Sequence, residues 1–367
     1  MHIVWFKRDL RINDHAALDA ATKLGDILPL FILEPKAWSE PDMGHRHYMF
    51  MQSCIQSLDK ELTKLGQNLI VKVGDAVDVL HDLNHRHNFS SLWSNQETWN
   101  GWSYARDKRV GKWCESNQIL WQQPAQNGVI RRLNNRNGWA SRWHYHMKKT
   151  TFKAPSALVS IDEESEELLS PSSLGLEEDH CIDLQKGGRE EGLNLLQSFL
   201  YDRGEGYTKE MSSPLTAYDS CSRLSTHIAF GTLSVREIYQ AYEKRNYEIK
   251  QMPPGTKGKW PGALRSFSGR LRWHCHFIQK LEDEPSIEFK NMHPAYDNLR
   301  EPFFNDEYFN AWKSGQTGFP MVDACMRALR ATGWLNFRMR AMVMSFASYH
   351  LWLHWRAPAL HLATLFT

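Results

Sequence analysis

Two hydrophobic rhythms alternate along the first 122 residues. Short apolar runs, rich in branched and aromatic residues, fall at 2–6 (HIVWF), 27–33 (ILPLFIL), 69–73 (LIVKV), 91–94 (SLWS) and 119–122. Runs of that length and content predict buried strands. Between them, residues 16–24, 49–65, 76–83 and 103–116 repeat apolar positions at the three- and four-residue spacing of a helix. Asp14 ends a polar turn and is placed to cap the first of these helices. Strands and helices alternating in this way predict a doubly wound, mostly parallel sheet. No GxGxxG follows the first strand, so the usual dinucleotide fingerprint is absent.

The rhythm changes after about residue 150. Residues 160–179 carry eight Asp or Glu and a Ser-Pro-Ser-Ser stretch. That composition predicts a solvated, flexible connector, with an acidic docking segment as the alternative. Beyond residue 190 only the helical period remains, at 192–201, 234–244, 262–282, 306–313, 320–331 and 334–356. The expected organisation is an α/β domain over 1–130, a linker with the acidic segment over 131–189, and an all-α domain over 190–367.

Composition narrows the class. With 42% hydrophobic and 23% charged residues in 367, two globular domains are expected. No apolar run approaches the roughly 20 residues of a membrane helix, and the N-terminus is a strand rather than a signal peptide, so a cytoplasmic protein with no membrane partner is expected. The six cysteines are scattered without a CxxC pair. This favours buried, reduced thiols over a metal or disulfide framework. A net charge of +2 neither requires nor excludes nucleic acid. Fifteen tryptophans are many for this length: either they fill aromatic cores, or some stack on bases or a flavin or pass electrons.

Three segments carry a resemblance. They are Val4-Trp5-Phe6-Lys7-Arg8-Asp9-Leu10-Arg11 with Asp14; Ser222-Arg223-Leu224-Ser225 with Phe230-Gly231; and the long run from Ala311-Trp312 through Gly315-Gln316-Thr317-Gly318-Phe319-Pro320-Met321-Val322-Asp323-Ala324 to Gly333-Trp334, Arg338, Arg340 and Trp355-Arg356. Together they resemble the photolyase/cryptochrome family. The resemblance implies an α/β domain with room for an optional antenna pigment, a folate or a deazaflavin, and a helical domain holding folded FAD. It implies light-driven electron transfer to a flipped pyrimidine dimer, a lyase reaction of DNA repair. The alternatives are a cryptochrome, a blue-light photoreceptor acting through a signalling partner, and a non-catalytic fragment. In each case the hard chemistry belongs to the cofactor.

Carried over residue by residue, the resemblance assigns Tyr207, Cys221, Ser222, Arg223, Leu224, Ser225 and Arg340 to FAD. Hydroxyls and free N–H groups at a helix start suit a pyrophosphate, although Ser222 and Ser225 would serve equally as helix caps. The family usually has Thr at Cys221. Arg340 is expected beside the flavin ring, against negative charge. For DNA the resemblance assigns Arg270, Trp273, His274, Phe337 and Arg338, with Arg270 standing where dimer photolyases have Glu, His274 for Arg and Phe337 for Asn. These departures weaken the repair reading more than the flavin reading. Trp355 matches the middle of the family's tryptophan relay, whereas Pro302 stands at the distal position. The proximal member and an acidic partner of Arg340 would follow Thr367, so an incomplete FAD domain with weakened FAD retention is expected. Two basic clusters are candidate DNA faces: Lys257, Lys259, Arg265, Arg270 and Arg272 with Trp260 and Trp273, and Arg131–Lys149 with Trp139 and Trp143. Asn95–Glu97 and Tyr104–Asp107 resemble the segments lining the pigment cleft.

Overall fold

The computed structural model describes every residue except His180. Five strands form one parallel sheet: β1 (His2–Phe6), β2 (Ile27–Leu33), β3 (Ile70–Val73), β4 (Ser91–Trp93) and β5 (Leu120–Gln122), in the order β3-β2-β1-β4-β5. Every residue of β2 is buried, which is why its pattern reads as continuous rather than alternating. Helices α1 (Ala16–Thr22), α2 (Pro35–Trp38), α3 (His45–Thr63), α4 (Ala76–His87) and α5 (Gly101–Ser116) connect the strands. Their starts are chemically marked. Asp75 accepts from the N–H of Val77 before α4, and Asn100 accepts from that of Ser103 in α5. The first cap differs from expectation: His15, not Asp14, accepts from the N–H of Leu18.

Asp14 is used elsewhere. It is buried in the left-handed region (φ 48°), where it accepts from Ser234 Oγ and from both Nε and Nη2 of Arg236. A carboxylate committed to a guanidinium across the molecule is not free to cap its own helix.

The acidic stretch also departs from expectation, because it lies along the open edge of β3. Glu166 donates its N–H to the carbonyl of Val71 (2.9 Å), Ser165 Oγ accepts from the N–H of Val71 (3.0 Å), and Glu166 Oε2 accepts from the N–H of Val73 (3.0 Å). Glu163 pairs with Lys72 at 2.8 Å and also binds Arg86 and His87. An unpaired strand edge needs such partners, so Glu163 and Glu166 serve the sheet, while Asp162, Glu164, Glu167, Glu177 and Glu178 stay exposed.

The remaining elements are helical: α6 (Trp139–Met147), α7 (Arg189–Ser198), α8 (Tyr207–Glu210), α9 (Ala217–Ser220), α10 (Ser225–Ala229), α11 (Val235–Gln251), α12 (Trp260–Asp283), α13 (Asp306–Ser314), α14 (Pro320–Thr332), α15 (Phe337–Ser345) and α16 (Arg356–Leu365). Trp139, Trp143 and Met147 of α6 join the core of α11 and α12. A single helix over 334–356 does not form. Asn336 caps α15, the chain widens into an i→i+5 turn at Phe346–His350, and Trp352 turns left-handed (φ 58°). No helix among the described residues is long and apolar enough to cross a membrane.

The sheet and the helical half are joined at the switch between β1 and β4, where strand order reverses and a crevice opens. Leu10 donates to the carbonyl of Phe230, Arg8 to that of Ala229 and Arg11 to that of Gly231. Gly231 has φ 69°, and a Cβ there would stand 2.4 Å from the backbone of Arg8 and Asp9. Only glycine allows this approach.

Candidate functional site: a cluster of unpaired arginines

Four arginines, Arg203, Arg223, Arg270 and Arg340, lie near enough to the Cys221 thiol to act on it electrostatically. Among the described residues none of the four meets a carboxylate within the 4.0 Å of a salt bridge, whereas Arg46, Arg106, Arg189 and Arg236 do. Burial lowers Arg203 and Arg340 to about 10, and Arg223 adds its repulsion to both. Partly desolvated cations without counter-charge form a site for an anion.

Arg203 sets the shape of the site. A widened helical turn at Phe199–Arg203 carries it beneath the chain at 219–222, where it donates to the carbonyls of Asp219 (2.9 Å), Cys221 and Ser222 (2.8 Å). With these carbonyls held on one side, the hydroxyls of Ser222 and Ser225 make no hydrogen bond within the described protein. Leu224 begins α10 with no side-chain cap, so neither serine is spent on capping. Leu224 is buried in the helical core and has only its backbone to offer a ligand.

Tyr207 packs edge-on to Phe199 (5.3 Å), with Arg270 near enough to act on its phenol. Burial pushes that phenol up to about 12, with Cys221 adding to the rise and Arg270 opposing it. The Cys221 thiol rises to about 11 because burial outweighs the arginines, so it stays protonated at neutral pH. Arg340 donates to the carbonyl of Leu335 (2.8 Å), lies 4.0 Å over Phe366, and lines a cavity of about 260 Å³ with Arg8, His47, Trp99, Ser225 and Thr226. Arg223, left-handed at φ 59°, turns away to a second cavity of about 360 Å³ shared with Arg203, Tyr218 and Asp183.

Most of the residues expected at the DNA face meet beside this cluster. Arg270 lies 4.2 Å over Trp273 and 5.7 Å from Phe337, and the two rings are 6.4 Å apart. Trp273, Phe337 and Arg338 are exposed. His274 is the exception. One residue further along α12 is a turn of about 100°, so it points away from Trp273 into a cavity between the two halves, lined by Arg8, Arg11, Gln126 and Asn127. Burial lowers it to about 4, leaving it neutral. Trp260, Trp139 and Trp143 are buried, so neither basic cluster carries the interleaved tryptophans expected of it, apart from Trp273. Trp355 bonds Asn291 (2.9 Å) and packs beside His354.

The segments expected to line a pigment cleft carry a buried charge network. Arg106 binds Glu34 (2.9 Å), Asp107 (2.8 Å) and Glu97, and lies over Trp5 at 4.7 Å and Trp102 at 5.5 Å. Lys7 joins Asp107 at 3.2 Å. About 60 Å³ of open space remains beside this network, lined in part by Trp38, Trp99 and Phe230.

Sequence reasoning missed Arg203, and nothing in the run Tyr201-Asp202-Arg203-Gly204 marks it. Its role exists only because a widened turn brings it under a segment some twenty positions away.

The chain is similar to known proteins along its length. Residues 2–135 match the family model described as DNA photolyase, and residues 267–367 match that of the FAD binding domain of DNA photolyase. The deoxyribodipyrimidine photo-lyase of Streptomyces griseus is 27% identical over 99% of this chain and 78% of its own length. Cryptochrome-1 of Arabidopsis thaliana is 29% identical over 96% of this chain and 54% of its own. A bacterial class III photolyase from Agrobacterium tumefaciens superposes with a TM-score of 0.85 at 24% identity, covering 100% of this chain and 76% of that one, a likeness of fold. With both halves matched in order, and with a cationic site and free hydroxyls suited to FAD between the Cys221 turn and α15, the chain belongs to the photolyase/cryptochrome family.

Proposed function

We propose that this chain holds FAD at the Arg203–Arg340 cluster and uses blue light to drive electron transfer to a pyrimidine lesion in DNA. The observation that carries this reading is the group of guanidiniums around Cys221 that lack carboxylate partners. Bound FAD would supply light-driven one-electron chemistry. Ser222 and Ser225 donate hydroxyls to phosphate oxygens, while Arg203 keeps their turn in shape. Arg340 offsets negative charge on the ring system, an effect strengthened by its partial burial. Trp273 and Phe337 form an exposed aromatic platform on which a flipped base stacks, and Arg338 attracts phosphate without reading sequence. In this scheme the helical part, 190–367, binds cofactor and lesion, and the sheet part, 1–130, braces it.

A second reading, a photoreceptor that acts through a partner, is favoured by one observation. The Arg270 guanidinium lies over Trp273, a ring the lesion would need, and it donates where a carboxylate would accept. One experiment separates the two. The protein is purified with added FAD, mixed with single- and double-stranded DNA bearing pyrimidine dimers, and illuminated with blue light. Restored monomers support repair. Flavin photoreduction without restored monomers supports the photoreceptor. Failure to bind FAD at all overturns both.

A further inference from the structure

The cavity of about 360 Å³ is ringed by charges that do not meet. Lys186, Arg203 and Arg223 line it together with Asp183, Glu191 and Asp219, yet among the described residues no two of them come within the 4.0 Å of a salt bridge. Two buried polar atoms there also lack a partner among the described residues, one a donor and one an acceptor: Arg223 Nε and Gln185 Oε1. Arg223 is only 9% exposed and is fixed against two rings, 4.1 Å from Tyr218 and 4.9 Å from Trp334. Gln185 Nε2 donates to the carbonyl of Arg223 (2.7 Å), which sets the direction of the amide and leaves Oε1 as the acceptor. Buried polar atoms in a folded protein are seldom left unsatisfied, so this pair marks a place for a ligand. The charges are not equally free. Every N–H of Arg203 is spent, on the carbonyls of Leu195, Asp219, Cys221 and Ser222 and on Ser198 Oγ, and Asp183 accepts from Tyr218. That leaves Arg223 and Lys186 on the donating side, and Glu191, Asp219 and Gln185 Oε1 on the accepting side. Leu184 and Leu195 supply an apolar wall, and the exposed Asp183, Lys186 and Asp219 open the cavity to solvent.

We infer that this cavity binds a small zwitterion, an α-amino acid with an apolar side chain. Its carboxylate sits on the guanidinium of Arg223 with Lys186 beside it, a planar anion against a planar fork of donors. Its ammonium group carries three N–H donors, and Glu191, Asp219 and Gln185 Oε1 accept them. Its side chain lies against Leu184 and Leu195. A ligand of one sign alone would face the opposite set of charges without a match, and that mismatch selects the zwitterion. The inference does not rest on the flavin reading, because every group it uses belongs to the cavity and none of them needs a bound cofactor.

The test is isothermal titration calorimetry of the full chain, without added FAD. The probes are L-leucine, leucinamide, which lacks the carboxylate, and N-acetyl-leucine, which lacks the ammonium. Leucine should bind saturably at one site, and each analogue should bind about tenfold or more weakly, having lost a hydrogen-bonded charge. Glycine, without a side chain for the leucine wall, should also bind more weakly than leucine. Lys186→Met and Glu191→Gln should each weaken leucine by a similar factor while the circular dichroism and urea midpoint stay as in the wild type. Arg223→Ala should abolish binding, and if that variant does not fold, the other two keep the test decisive. Three results overturn the inference: no leucine binding tighter than about 1 mM, either analogue bound as tightly as leucine, or wild-type affinity in both Lys186→Met and Glu191→Gln. The second of these would reveal a site for a simple cation or a simple anion instead.

Discussion

Arg340 is held in place by one backbone carbonyl and a phenylalanine face, with no carboxylate in salt-bridge reach among the described residues. Replacing it with alanine should weaken FAD binding about ten- to a hundredfold, the loss of one hydrogen bond to a charged group at about 1.5–3 kcal/mol. Fluorescence-quenching titration checks this, and Arg340→Lys should recover part of the affinity. The turn Ser222-Arg223-Leu224-Ser225 was legible as a unit because its residues are consecutive, although only the fold shows Arg223 turning to the second cavity. Arg203 was not legible, since its three carbonyl partners lie far along the chain. His274 was misassigned for a related reason. Adjacent residues on a helix share a sequence position but not a direction, and tertiary packing decides which face meets the neighbouring half.

Each element sets two faces against each other. Along α12, Trp260 is buried beneath Arg245 while Trp273 is exposed. Trp260→Ala should therefore cost about 3–5 kcal/mol of stability, read as a fall in the urea midpoint. Trp273→Ala should leave the midpoint nearly unchanged and weaken binding of lesion-bearing single strands, read by fluorescence anisotropy. At the β3 edge, Lys72 and Glu163 are both nearly inaccessible. Removing one partner of such a pair leaves a buried charge, so Glu163→Ala should destabilise the chain by about 3 kcal/mol. Pairing it with Lys72→Met should recover most of that loss in the same urea titration. The sequence marked the strands and most helices to within a few residues, because burial on one face imposes a period. It did not mark the acidic edge strap. Its carboxylates look like those of a linker until β3 offers them N–H groups and a lysine.

At the scale of the molecule, the β1–α1 loop and the 229–236 segment weld the halves together. Gly231→Ala would place a methyl within 2.4 Å of two backbones at a positive φ, and strain of that kind costs at least about 1–3 kcal/mol. Limited proteolysis should then show the halves separating before either unfolds. Acid should act on the whole chain as well. Burial lowers His47, His146, His227, His274 and His361 each to about 4, against an unfolded value of about 6.5. The unfolded chain therefore binds more protons between these values. Stability is fully present above about pH 6.5 and is lost as the pH falls toward 4, by up to about 1.4 kcal/mol per pH unit for each histidine. Urea midpoints at pH 7.5 and 5 should differ clearly, and His227→Gln should flatten the dependence.

Hydrophobic period and local motif by themselves determined the order of strands and helices, the parallel sheet, and the short runs through which this chain resembles its relatives. These are properties of neighbours along the chain. Tertiary structure alone decided which charges go unpaired. It matched Asp14 to Arg236 and Glu163 to Lys72, drew Glu34, Glu97 and Asp107 to Arg106, and, among the described residues, left Arg203, Arg223, Arg270 and Arg340 without a carboxylate in salt-bridge reach. Charge balance depends on distance in space, and a folded chain brings together residues that the sequence keeps a hundred or more positions apart.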